Sequence, residues 1–168
     1  DPRLLSGGLP GLLQSINHVT ETLIIRDERM QSAPGLAERW VQQDPRTLRL
    51  FLRKGVRFHN GEPFDGQSVK YTIDSILAPD SKSVWRSQAQ AIKEVVIGDP
   101  LTVDVRTAAP YRPLVRMLAN LPIVAAKAGR DLGDKLAANP IGTGPFRHVE
   151  YVPGDHWTVQ ADPGYWGD

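Results

Sequence analysis

Ile92-Lys93-Glu94-Val95-Val96-Ile97-Gly98-Asp99-Pro100-Leu101-Thr102-Val103-Asp104-Val105-Arg106-Thr107 is the stretch on which the fold turns. Two runs rich in β-branched residues, Ile92–Gly98 and Leu101–Thr107, flank an Asp-Pro pair. Proline fixes φ and brings no N–H to a strand ladder, so the pair reads as a turn and the runs as an antiparallel hairpin. The same grammar recurs on both sides. Upstream, Glu38–Gln43 and Thr47–Lys54 flank Asp44-Pro45-Arg46, with Leu48, Leu50 and Leu52 facing one way and Arg49 and Arg53 the other. Phe51 breaks that alternation. Downstream, Phe146–Val152 and His156–Ala161 flank Pro153-Gly154-Asp155, which suits a type II turn because glycine supplies the positive φ.

Helical spacing fills the intervals. Leu12, Leu13, Ile16, Val19 and Leu23 predict a helix over Leu12–Leu23, after a loop over residues 1–11. Asp65 is placed to cap a helix reaching about Leu77, with Val69, Ile73, Ile76 and Leu77 on its inner face and Pro79 ending it. A short helix carrying Trp85 is expected over 83–91. Another runs from Pro110 to Leu121, with Tyr111, Leu114, Val115 and Leu118 on one stripe. Pro122–Ala126 reads as a short extended piece and Lys127–Ala138 as a more polar helix. Three hairpins separated by helices predict an α+β fold, a mostly antiparallel sheet with packed helices.

Composition narrows the function classes. The 168 residues carry 20 Lys+Arg against 19 Asp+Glu, a net charge of +1, so the chain shows no electrostatic footprint for nucleic acid or an anionic membrane. With no cysteine, thiol nucleophiles, disulfides and cysteine metal clusters all drop out. At this length a domain buries roughly 70% of the surface its unfolded chain exposes. The 15 Gly and 14 Pro make up about 17% of the chain, against roughly 12% on average, and they are spread among apolar segments. That distribution predicts many short elements joined by specified turns.

Local motifs for catalysis are missing. His59-Asn60-Gly61-Glu62 sets an imidazole and a carboxylate three apart, but His18, His148 and His156 sit in separate elements and complete no ligand set. Asn60-Gly61 followed by Pro63 reads instead as a turn. Gly142-Thr143-Gly144-Pro145 resembles a phosphate loop without its lysine or following helix, and reads as a strand-entry loop. There is no Gly-x-Ser-x-Gly elbow, and acid pairs such as Asp131 with Asp134 lie in polar stretches. No catalytic residue, metal site or cofactor is expected. Trp40 and Trp157 are expected in the core, and Trp166 at a domain edge. Trp85, among Ser81, Lys82, Ser83, Arg86, Ser87 and Gln88, reads equally as a binding aromatic and as a lone exposed one.

Five blocks together resemble a known family. They are Pro34-Gly35-Leu36-Ala37-Glu38-Arg39-Trp40; Leu52-Arg53-Lys54-Gly55-Val56-Arg57-Phe58-His59-Asn60-Gly61-Glu62-Pro63-Phe64; Ala109-Pro110-Tyr111-Arg112-Pro113-Leu114; Pro140-Ile141-Gly142-Thr143-Gly144-Pro145-Phe146; and Pro153-Gly154-Asp155 with Pro163-Gly164-Tyr165-Trp166-Gly167. In order and spacing they are similar to the extracellular (periplasmic) solute-binding proteins of family 5, the oligopeptide, dipeptide and nickel-binding components of ABC importers.

The resemblance implies a two-lobed periplasmic-binding-protein-like fold roughly three times this long, beyond the usual size of one domain. Residues 1–36 would be an N-terminal piece of the first lobe, and 37–168 its small α/β subdomain. On that resemblance the second lobe would lie outside this sequence, as would the family's first strand and any targeting segment. The implied function is capture of a peptide or similar small solute by lobe closure and delivery to an ABC permease in the membrane. The alternative is a ligand-sensing module of a regulatory protein. The resemblance places the protein in the periplasm or outside the cell, with lipid anchoring open, and implies no enzymatic activity and no nucleic-acid partner. Ligand-cleft candidates by position in the family are Ser6, Gly7, Gly8 and Leu9, then Trp85, then Leu121, Pro122 and Ile123. Two departures stand out: Gly7-Gly8, where relatives carry bulkier side chains, and Asp65-Gly66-Gln67-Ser68 at a helix start that is acidic in relatives, a change expected to touch capping rather than ligand choice. Peptides, nickel chelates, sugars and opines all remain open as ligands.

Overall fold

The alternating leucines of the first hairpin organise the larger of two packing units. A computed structural model describes residues 18–137, 139–152 and 155–167. The chain divides into one unit built from Thr22–Lys54 and Phe64–Ile123, and another from Asp1–Glu21, Gly55–Pro63 and Val124–Asp168. The units thus interleave along the sequence, whereas the division expected from the resemblance cuts the chain once, at residue 36.

The Thr22–Ile123 unit holds a four-stranded antiparallel sheet. Its strands are β3 (Ala37–Asp44), β4 (Thr47–Leu52), β5 (Ile92–Asp99) and β6 (Thr102–Thr107), in the order β3-β4-β6-β5. Leu48, Leu50 and Leu52 are buried, as are Val95, Val103 and Val105 on neighbouring strands. Helix α1 (Gly66–Leu77) covers that face with Val69, Ile73 and Ile76. Asp65 caps it as expected, its Oδ1 accepting from Gln67 N at 2.8 Å and Ser68 N at 3.4 Å. A Cβ on Gly66 would lie 2.9 Å from Val103 Cγ1 and 3.2 Å from Ile97 Cγ2, so the departure at the helix start lets α1 approach the sheet closely.

The opposite face is polar and laced by cross-strand pairs. Arg49 grips Asp104 with two bonds of 2.7 and 2.8 Å, and Arg106 meets Glu94 at 3.2 Å. Phe51, which breaks the leucine alternation, lies beneath the Arg39 guanidinium, 3.3 Å from ring centre to Cζ. Trp40 is half-exposed on the edge strand β3, contrary to the core position expected for it.

Three helix expectations need correction. Within Leu12–Leu23 only residues 18–23 are described, and they are not helical: Thr22 bridges Pro122, while Thr22 O and Leu23 O accept from Leu36 N and Ala37 N. Pairing with distant backbone consumed the groups a helix would have needed. The chain continues into an unexpected hairpin, β1 (Ile24–Arg26) with β2 (Ser32–Pro34). Asp27 builds its loop by accepting from Arg29 N and Gln31 N. The expected Pro110–Leu121 helix shrinks to α3 (Leu114–Leu118), since Pro113 disfavours a helical residue before it. Met117 joins Leu114 and Leu118 on the buried side instead of Val115. Finally, Lys127–Ala138 splits into α4 (Ala126–Leu132) and a 3₁₀ turn (Gly133–Ala137), broken where Gly133 takes φ +51°. The short helix expected over 83–91 is α2 (Arg86–Ala89).

In the other unit, β7 (Phe146–Val152) and β8 (His156–Ala161) form the third hairpin with the predicted bounds. The predicted type II turn falls on Pro153 and Gly154, which lie outside the described residues. Trp157 is buried as expected, its Nε1 donating to His148 Nδ1 at 2.6 Å.

Candidate functional site

The residues that looked like chemistry in the sequence are largely spent on holding loops. His59 sits nearly buried and touches one loop three ways. Its backbone N–H donates to Gly142 O at 2.9 Å, its Nε2 lies 2.8 Å from Gly144 O, and its Nδ1 lies 3.4 Å from Gly142 N. A carbonyl only accepts, so Nε2 carries the proton and Nδ1 is the acceptor. Glu62, three residues on, caps α4: its Oε2 accepts from Lys127 N at 2.9 Å and its Oε1 from Ala128 N at 3.0 Å. No side chain of α4's own N-cap does this. His59-Asn60-Gly61-Glu62 is therefore a structural turn, with Gly61 at φ +85°.

The Gly142-Thr143-Gly144 loop earns its glycines by close approach. A Cβ on Gly142 would fall 2.0 Å from Val19 O, and one on Gly144 would fall 2.6 Å from His18 O. Thr143 between them donates to Glu21 Oε2 at 2.8 Å. Glu21 also accepts from Trp166 Nε1 at 2.7 Å and Tyr165 Oη at 2.9 Å. One carboxylate thus gathers the Gly-Thr-Gly loop and the C-terminal Gly-Tyr-Trp-Gly segment. Asp162 anchors the same segment, accepting from Arg147 Nη2 and Gly164 N, and the Arg147 bond holds its carboxyl below the usual carboxylate range. The roles of Glu21 and Glu62 were not read from the sequence. Nothing periodic marks them, since each acts on backbone or side chains from 65 to 145 residues away.

The cleft candidates divide by exposure. Ser6, Gly7, Gly8 and Leu9 lie outside the described residues. Leu121, Pro122 and Ile123 are buried, with Leu121 and Ile123 at 0% exposure, and Pro122 backs onto Thr22. Trp85 is half-exposed at the start of α2, beside Val84 at 49%. Trp85 and the 121–123 segment both belong to the Thr22–Ile123 unit. That unit also has a shallow open hollow where Arg46, Lys93 and Arg106 mix with Asp44 and Glu94. Three cations face two carboxylates there, so its charges nearly cancel. Among the described residues, no three His, Asp or Glu side chains converge as a metal site would require.

Fold and loops together are those of a solute-binding module. The chain belongs to the bacterial extracellular solute-binding proteins, family 5 Middle, whose pattern matches residues 31–168. It is 33% identical over 156 residues to Protein XP55 of Streptomyces lividans, and 29% identical over 143 residues to the glutathione-binding protein GsiB of Salmonella paratyphi A. Those alignments cover 89% and 83% of this chain and 28% of each relative. Among solved structures, NikZ of Campylobacter jejuni in complex with Ni(L-His) superposes with a TM-score of 0.85 at 28% identity, over 91% of this chain and 32% of that one. The chain therefore spans about a third of the length of the proteins it matches. The expected α+β class and the family resemblance are both borne out.

Proposed function

We propose that this chain is part of the substrate-binding component of an ABC importer, which captures a peptide or similar small solute and hands it to a membrane permease. The observation that carries the reading is the family match over 31–168, supported by a glutathione-binding relative. In this reading the protein works outside the cytoplasm, performs no catalysis, and acts by lobe closure. A ligand touching both lobes stabilises the closed state by its differential affinity for that state. Residues 1–36 and 37–168 are assigned to the first lobe and its subdomain. Ser6, Gly7, Gly8, Leu9 and Trp85 are assigned to the ligand-facing surface, with Trp85 as its half-exposed aromatic, whereas Leu121, Pro122 and Ile123 are buried and offer it no side chain. The relatives above lend no support to the sensory alternative.

Calorimetry tests the reading. The full-length protein is expected to bind one of three probes, a dipeptide, glutathione or Ni(L-His), and the 168-residue chain alone to give little or no heat. Trp85→Ala should weaken the full-length affinity by about tenfold, the scale of losing one aromatic contact in a pocket. Micromolar binding of a dipeptide by the isolated chain would sink the lobe-closure reading.

A further inference from the structure

Trp85 stands at the N-cap of α2, a helix of four residues with no side-chain cap. A helix that short has no stability of its own, so the position of Trp85 depends on the packing of α2 against α1, with Ala89 fully buried, and on what ties down the loop before it. Pro79 forces Ala78 out of the helical region, to φ −51° and ψ 142°, and α1 ends there. A helix end leaves carbonyls without intrahelical donors, and the last turn of α1 carries no basic side chain.

The Ala78 carbonyl accepts from Ser81 N at 3.0 Å and from Arg86 Nη1, which reaches back across eight residues. The two serine side-chain ties are long: Ser83 N to Ser81 Oγ and Trp85 N to Ser83 Oγ, each 3.3 Å. Arg86 N–H also donates to Ser83 O at 3.1 Å, and Ala89, fully buried, donates to Trp85 O at 3.0 Å. Among the described residues, the charged bond from Arg86 is thus the one side-chain bond that joins both ends of the segment carrying Trp85.

We propose that Arg86 is the positioning residue for Trp85: its guanidinium clasps the C-terminal carbonyl of α1 and fixes the loop that presents the indole. The inference rests on the reading of Trp85 as ligand-facing. With its guanidinium engaged at Ala78, Arg86 leaves recognition to the indole face, which suits an apolar or cationic group of a small solute.

Fluorine NMR of the full-length protein labelled with 5-fluorotryptophan reads the clasp directly, with Trp85→Phe assigning the resonance. Arg86→Ala is expected to move the Trp85 signal to the exposed position, leaving those of Trp40, Trp157 and Trp166 in place. Arg86→Lys, which keeps the charge and a donor, is expected to retain the native signal. Affinity for glutathione, used as the probe, should fall about tenfold in Arg86→Ala, the loss of one charge-assisted bond. Should Arg86→Ala fail to fold, Arg86→Gln replaces it. A Trp85 signal unchanged in both variants overturns the proposal. A signal that answers to Arg86→Ala yet ignores saturating glutathione, dipeptide and Ni(L-His) upholds the clasp and defeats the ligand-facing reading alone.

Discussion

The two packing units are held together by different physics. The Thr22–Ile123 unit rests on periodic burial: Leu48, Leu50 and Leu52 of β4 are buried with Val95, Val103 and Val105 of the neighbouring strands, and α1 lays Val69, Ile73 and Ile76 on the sheet along β5 and β6. Such a layer tolerates small adjustments, because side chains can repack. The other unit rests on single polar groups and backbone contacts. His59 stitches a loop, Glu62 caps a helix, Glu21 gathers three donors, and Gly142 lets one chain segment lie against another. Backbone against backbone has nowhere to move.

Adding a methyl group to a glycine in each unit separates the two cases most sharply. Gly142→Ala drives a Cβ to 2.0 Å from Val19 O, a backbone atom, and should cost about 3 kcal/mol or more. Gly66→Ala meets Val103 Cγ1 at 2.9 Å, a methyl on a stiff buried side chain, so the start of α1 must shift a little off the sheet, and about 2 kcal/mol is expected. Urea unfolding of both variants checks the ordering. Equal costs would mean the contrast between the units is false.

Glu62→Ala comes next in size. It strips α4 of acceptors for two N-terminal N–H groups, at 2.9 and 3.0 Å, and should cost about 1 to 2 kcal/mol. Hydrogen exchange localises the effect: Lys127 and Ala128 amides should lose protection while those of α1 keep theirs. Glu62→Gln should recover part of the loss, since its amide oxygen can still accept one bond.

The contrast also explains what the sequence revealed. All three predicted hairpins and the Asp65-capped helix were legible, because alternation, helical spacing, turn residues and caps are local signals. Residues 18–23 misled because Val19 and Leu23 are buried in a segment of turn and bend, and apolar spacing alone does not distinguish that from a helix. Trp40 misled because an edge strand exposes one flank of even a large aromatic. Glu21 and Glu62 were invisible for the opposite reason, since their partners are far away in sequence. The family resemblance marked the blocks that Glu21 holds, Pro140–Phe146 and Pro163–Gly167, without saying why. Of the candidate site, Trp85 could be located as an aromatic in a polar segment, whereas the tie from Arg86 to Ala78 needed the fold.

Acid titration should draw the finest line between the units. Arg49, bonded to Asp104, holds the Asp104 carboxyl below its ordinary value, so this pair stabilises the sheet above the usual carboxylate range and is lost as pH falls through the lowered value. The sheet should therefore be indifferent to pH between about 8 and 5. The β7–β8 hairpin should not be. His156 lies between Glu150 Oε1 and Asp155 Oδ2, each 2.9 Å away, and these carboxylates raise its pKa. Its contribution is full below the ordinary histidine value and disappears as pH rises through the raised one. His148 works the other way: burial lowers its pKa, so protonation at acid pH opposes the hairpin. Imidazole NMR should show His156 titrating above His148, and Glu150→Gln should bring His156 down while leaving His148 in place. If both histidines titrate together, the carboxylates do not hold His156 in solution and the hairpin has no pH dependence of its own.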